Sequence, residues 1–188
     1  MPGLQRIILI NCHLPGFVEL DVSGHSNICG TNASGKTTLQ RLIPVFYGEL
    51  PSKVVPKTRK KFDDFYLPHA NSYLIYEYQR EDGQNCQVVL TRKGSDGVQY
   101  RFVEASYHQE QILVDVEKGN VQAILPEQWI KQLRQLGIEF SHKIQATSEF
   151  RSIIQNDASV GRGAGRESTK LRQLASRYSL VSSQHRIR

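Results

Sequence analysis

This sequence predicts an α/β protein of the mixed α+β kind, a nucleotide-binding lobe with an antiparallel β meander. Three observations predict it. Residues Gly30 to Thr38 read Gly-Thr-Asn-Ala-Ser-Gly-Lys-Thr-Thr, a complete match to the phosphate-loop pattern G-x-x-x-x-G-K-[ST]. A pair of strand-like runs precedes that loop. A set of alternating segments joined by hairpin chemistry follows the first helix.

The elements follow in order. Gln5 to Cys12 is a β-branched run and opens the chain as a strand. Leu14-Pro15-Gly16 turns it, and Phe17 to Val22 alternates apolar with acidic residues, as a strand with one wet face does. His25 to Cys29 reads as a short buried strand feeding the loop. A helix is expected from Lys36 to Phe46, with Pro44 shortening or kinking it. Residues 48–69, with Pro51, Pro56, Pro68 and the cluster Lys57-Thr58-Arg59-Lys60-Lys61, read as an irregular excursion. Asn71–Gln79, Cys86–Arg92 and Val98–Val103 read as strands joined at Glu81-Asp82-Gly83 and Gly94-Ser95-Asp96-Gly97. A further strand near Ile112–Val116 turns at Gly119-Asn120. Pro126 opens a helix that Gly137 ends, Ser148 is expected to cap the next one, and Ser168 to Leu180 is the last helical segment.

Composition is that of a globular protein: 188 residues, 39% hydrophobic and 22% charged, with no apolar run near the roughly 20 residues of a membrane span. A cytoplasmic location is expected, with nucleoid association open to it. Cys12, Cys29 and Cys86 are far apart with no C-x-x-C pair, so they read as buried free thiols and not as zinc ligands. His13, His69 and His108 show no ligand spacing, and Trp129 on its amphipathic helix reads as core. The net charge of +6 is carried by residues 161–188, where Arg162, Arg166, Lys170, Arg172, Arg177, Arg186 and Arg188 face Glu167 alone. A basic tail suits a polyanion such as nucleic acid, and a solvated helix face explains it equally well.

The loop carries the chemistry. Its glycines let backbone N–H groups converge on a phosphate chain, so Gly30, Thr31, Asn32, Ala33, Ser34, Gly35, Lys36, Thr37 and Thr38 are the expected ATP-binding residues. Lys36 reaches the β- and γ-phosphates and Thr37 joins the Mg²⁺ shell. With Asn11 closing the first strand, the curved Phe17–Val22 strand and Asn27 to Thr38, the chain resembles the N-terminal half of an ATP-binding-cassette (ABC) head from the SMC-like ATPases, the SMC, RecN and MukB types.

That resemblance implies a P-loop NTPase half-head over residues 1–160, with 161–188 a basic helical tail that starts a coiled coil or a missing region. It implies a glutamine that ligates Mg²⁺ and orients the attacking water. Gln145 is the candidate, with Gln155 in reserve. The Asp-Glu base and signature loop of that class are missing. Hydrolysis would therefore need a C-terminal lobe, on this chain or another, and a second head as dimer partner. DNA contact is expected through Lys57, Arg59, Lys60, Lys61 and the C-terminal arginines. The alternative is a self-sufficient P-loop kinase or NTPase acting on a small molecule, with Asp63-Asp64 as its acidic pair.

Overall fold

The computed structural model describes residues 2–13, 16–24, 35–56, 61–117, 119–157 and 166–181, the side chains of 166–168 excepted. The strands of the main sheet are β1 (Gly3–Ile10), β2 (Phe17–Asp21), β3 (Tyr73–Gln79), β4 (Asn85–Arg92) and β5 (Val98–Val103), in the order β2-β1-β3-β4-β5. Every neighbouring pair is antiparallel. The connections dictate this. β1 and β2 are joined by a tight reversal, where Asn11 and Gly16 take φ of 49° and 86° and the Asn11 N–H donates to Gly16 O at 2.8 Å. β3, β4 and β5 follow one another through hairpins whose glycines, Gly83, Gly94 and Gly97, also have positive φ. A parallel pair would require a crossover between neighbours; the crossover in this sheet, from β2 past β1 to β3, joins strands that are not neighbours.

The expected fold is corrected on this point. An all-antiparallel sheet is not the parallel-sheet core typical of P-loop NTPases, so the P-loop NTPase class and the ABC-ATPase-like half-head do not describe the chain. What the residues build is a mixed α+β fold with antiparallel sheets.

Strand pleating sorts the core into two layers. Ile7, Leu9, Leu74, Tyr76, Tyr78, Val88, Leu90, Tyr100 and Phe102 face one side. Ile8, Ile10, Tyr73, Ile75, Val89 and Val103 face the other. A bulge between Leu4 and Arg6 lets Leu4 join Ile7 on the first face, despite their odd separation. Both faces are covered, which explains why β3 and β4 are buried almost end to end.

The first face is covered by short helices: α1 (Lys36–Gln40), α2 (Leu42–Phe46), α3 (Pro51–Val54), α4 (Phe62–Tyr66), α6 (Thr147–Ile154) and α7 (Arg166–Tyr178). The single helix expected over 36–46 is divided at Arg41. Pro44 has no N–H for the Gln40 carbonyl, and its ring crowds that position, so α1 ends there. The excursion over 48–69 contains α3, opened by Pro51, and α4. Ser148 is not the cap of α6: Ala146 holds that position, and Ser148 lies within the first turn.

Buried tyrosines on the strands tie these helices down. Tyr76 donates its hydroxyl to Leu42 O at 2.8 Å, and Tyr78 donates to Tyr178 O at 2.5 Å. Tyr100 shares a 3.0 Å hydrogen bond with Thr147 Oγ1 and stacks on Phe150. Arg80 adds bonds from Nε to Ser179 O and from Nη2 to Ser176 O, both at the end of α7. The expected coiled coil is corrected here: α7 is 13 residues long and lies against the sheet through Tyr178, and no long coiled-coil helix occurs among the described residues.

The second face carries the hairpin β6 (Leu113–Glu117) and β7 (Asn120–Ala123) with helix α5 (Pro126–Gln135). Trp129 and Leu133 of α5 enter that core, Trp129 edge-on to Tyr73. Gly137, at φ 67°, ends α5 as expected. Beyond it, residues 138–144 run along the outer edge of β5. Glu104 N–H donates to Glu139 O, Ser141 N–H to Phe102 O, and Tyr100 and Ile144 exchange both their bonds.

Candidate functional site

The phosphate-loop residues divide at Gly35. Gly30, Thr31, Asn32, Ala33 and Ser34, like the short strand expected over His25–Cys29, lie outside the described residues. Gly35 precedes α1 in the left-handed conformation, φ 83° and ψ 4°, and a Cβ there would meet no atom within 4 Å. Its glycine is therefore demanded by backbone conformation and not by crowding. Lys36 is half-buried, Thr37 is exposed and Thr38 is half-buried. Leu39 and Leu42 anchor this segment in the core, and the Tyr66 hydroxyl holds Thr38 O at 2.8 Å. The first turn of α1 contains no acidic residue.

Gln145 is elsewhere. It follows Ile144, whose bridge to Tyr100 fixes the backbone, and it opens on a cleft of about 610 Å³ with Pro51, Val55, Phe62, Val98 and Thr147. Neither Lys36 nor Thr37 lines that cleft. Gln155 donates to Tyr47 O at 2.8 Å at the end of α6.

Asp63 and Asp64 have structural partners. Asp63 is buried, and its Oδ2 accepts the Gly97 N–H at 2.9 Å. Asp64 Oδ1 accepts from Arg92 Nη2 at 2.7 Å. Together they clamp α4 to the β4–β5 hairpin. An acid or base poised over a γ-phosphate needs freedom to exchange a proton with substrate, and the buried Asp63 is instead committed to a backbone amide. With the parallel core also lacking, the self-sufficient P-loop kinase is corrected.

Of the basic residues expected to touch DNA, Lys57, Arg59, Lys60, Arg162, Arg186 and Arg188 lie outside the described residues. Lys61 is exposed and pairs with Asp96 at 3.0 Å, which raises its pKa. Arg177 pairs with Glu104, and Glu139 lies 3.9 Å away. The ion pairs among the described residues are internal ones.

Among the described residues, positive charge also gathers at a second place. Between the end of β5 and α5 is a cleft of about 740 Å³ lined by Arg92, Arg101, Lys131, Arg134 and Lys143, with Glu127 its single acidic residue. Arg92 is already neutralised by Asp63 and Asp64. The other four have no carboxylate within 4 Å among the described residues. Arg101 donates to Ser141 O at 2.5 Å, and both Arg101 and Arg134 sit over the Phe140 ring, 5.5 and 5.7 Å from its centre. Their positions in the sequence are scattered, so no local pattern announces them.

Cys12 and Cys86 are buried free thiols, each with its pKa pushed up to about 12 by burial. Cys29 lies outside the described residues. No group of three or more His, Cys, Asp or Glu side chains suited to a metal occurs among the described residues. No helix among them is long and apolar enough to cross a membrane.

The comparisons with known proteins complete the correction. No curated protein matches the chain. The family that does match is described as "Protein of unknown function (DUF3584)" and covers residues 8–188. The SMC, RecN and MukB resemblance is therefore overturned by the antiparallel sheet together with this match. The reading built on it, an ATPase lobe acting on DNA whose hydrolysis awaits a C-terminal lobe and head dimerisation, is overturned too. With 181 consecutive residues matched, the chain belongs to the DUF3584 family.

Proposed function

We propose that this chain is a ligand-binding module that takes ATP with Mg²⁺ at Gly30–Thr38. Lys36 meets the phosphate oxygens and the Thr37 hydroxyl meets the ion. The reading is one of binding, with no hydrolytic step assigned to any residue. The observation that carries it is the left-handed Gly35 directly ahead of Lys36. Alternating left- and right-handed backbone turns successive N–H groups to one side, which is how a chain makes a concave anion cradle without side chains. Further support comes from the absence of acid in the turn that follows, and from Thr38 being fixed by Tyr66. When bound, Mg²⁺ supplies charge neutralisation between neighbouring phosphates. A cytoplasmic location accords with such a ligand.

The test is calorimetric titration of the full chain with ATP, ADP and tripolyphosphate, with and without Mg²⁺. Binding should require Mg²⁺ for full affinity. Lys36→Ala should weaken it by about 100-fold, the loss of roughly 3 kcal/mol of charge-assisted hydrogen bonding. Thr37→Ala should remove most of the Mg²⁺ dependence. An unchanged affinity in Lys36→Ala would sink the proposal.

A further inference from the structure

We propose that the cleft between β5 and α5 binds a phosphorylated small molecule. Arg101, Lys131, Arg134 and Lys143 hold its phosphate, and its organic part lies against Pro126 and Ile130. The site is independent of Gly30–Thr38. Leu39 of α1 belongs to the core on one face of the sheet, whereas Trp129 and Leu133 of α5 belong to the core on the other.

The argument starts from β5. Strand alternation turns Tyr100 and Phe102 toward the first face and therefore sends Gln99 and Arg101 to the second, beneath α5. Arg101 is only partly exposed there. Its one hydrogen bond is to the carbonyl of Ser141, so most of its donors remain unused by the described residues. Arg134 reaches the same ring, Phe140, from the last turn of α5. Burial holds Arg101 below its ordinary pKa, and repulsion from the Arg134 guanidinium on the same aromatic ring adds to it. Proteins normally place a carboxylate in such a position. Here the described residues place two more cations, Lys131 and Lys143, and confine acid to Glu127 at the start of α5. A bound anion would relieve this imbalance.

Chemistry narrows the anion. Planar guanidinium forks match phosphate oxygens two at a time, and lysine ammonium groups add charge without directional demand. The volume, about 740 Å³, is that of a small-molecule site and not of an open polynucleotide track. Part of the wall is apolar, formed by Pro68, Ala70, Leu125, Pro126 and Ile130. Bare inorganic phosphate would leave that wall wet. Trp129, whose indole N–H has no acceptor among the described residues, forms part of the lining and supplies a reporter, because it is the only tryptophan in the chain.

The experiment titrates the full chain with phenyl phosphate, inorganic phosphate and an oligothymidylate without terminal phosphates, following Trp129 fluorescence excited at the red edge. The expected result is a saturable response to phenyl phosphate at least tenfold tighter than to inorganic phosphate, and weakened by salt. Arg134 and Lys143 are exposed, so Arg134→Gln and Lys143→Gln should keep the fold while each raises Kd about tenfold. Lys36→Ala should leave the response intact. Three outcomes would overturn the proposal: no loss of affinity in either glutamine variant, equal affinity for the two phosphates, or a response to the oligothymidylate alone. Loss of the response in Lys36→Ala would reassign the ligand to Gly30–Thr38 and also overturn it. Failure of ATP binding in the wild type would leave this site untouched.

Discussion

Gly48 is the position where a single methyl group should cost most. It sits between α2 and α3 with φ 93°, and a Cβ built there would lie 2.6 Å from Cγ and 2.9 Å from Cβ of Arg151. The same arginine donates from Nε to Gly48 O at 2.7 Å. Gly48→Ala thus incurs two penalties. The left-handed backbone costs about 1–2 kcal/mol for any residue with a Cβ. Relieving the clash requires Arg151 to swing away, because its Cβ is too near the helix backbone to yield by itself. That movement gives up a hydrogen bond worth about 1 kcal/mol. The sum is about 2–3 kcal/mol. Gly137 is the internal control, with φ 67° and nothing within 4 Å of its built Cβ, so Gly137→Ala should cost only the backbone part, about 1–2 kcal/mol. Urea denaturation of both variants, at unchanged m, measures the difference. Equal destabilisation of the two would refute the assignment of a packing penalty to the Gly48–Arg151 approach. Because Arg151 belongs to α6, the perturbation also tests whether that helix is fixed through Gly48 O.

Two more predictions concern buried groups. Tyr78→Phe removes the hydroxyl that satisfies the last carbonyl of α7, inside a fully buried site, so it should cost about 1–3 kcal/mol and raise amide exchange in 171–180 selectively; uniform exchange across the chain would count against the tether. Cys12 and Cys86 titrate near 12 when folded, but near 8.5 when unfolded. The unfolded chain therefore binds fewer protons between those values, and stability falls as pH rises through that window. At pH 10 each thiol should withdraw up to about 2 kcal/mol, and Cys12→Ser/Cys86→Ser should flatten the profile between pH 8.5 and 10. A profile equally steep in the double variant would exclude the thiols as its cause.

Much of the strand layout was legible. Alternation in Phe17–Val22 and hairpin chemistry at Gly83, Gly94 and Gly97 place strands within two residues of where they lie, because pleating and turn geometry are local properties. Gly137 ended its helix for the same kind of reason. The antiparallel meander is legible, but the P-loop and ABC-head class is not decided by the loop and its flanking runs, because strand direction is set by connections elsewhere in the chain. The short helix α4 within 48–69 is hidden because distant groups hold it: Arg92 bonds Asp64 from 28 residues away, and the Gly97 N–H bonds Asp63 from 34 residues away. Ser148 failed as a cap because its neighbour Thr147 is already helical, with Oγ1 bonded to Tyr100. The basic cleft was invisible for a similar reason. Arg101, Lys131, Arg134 and Lys143 meet only after α5 has crossed the sheet and the chain has returned along β5.

That return of the chain has one more consequence. Residues 138–144 bond the outer backbone groups of Tyr100, Phe102 and Glu104, so this stretch of the margin is closed to a strand from another molecule. At the opposite margin, β2 has no neighbour among the described residues beyond β1, and its exposed positions include the carboxylates Glu19 and Asp21. A sheet able to accept a strand at one margin alone can pair with one other sheet and then stops. Among the described residues, edge-to-edge growth of this five-stranded sheet is thereby limited to its β2 margin, and growth at the other margin would first require stripping the 138–144 segment from β5.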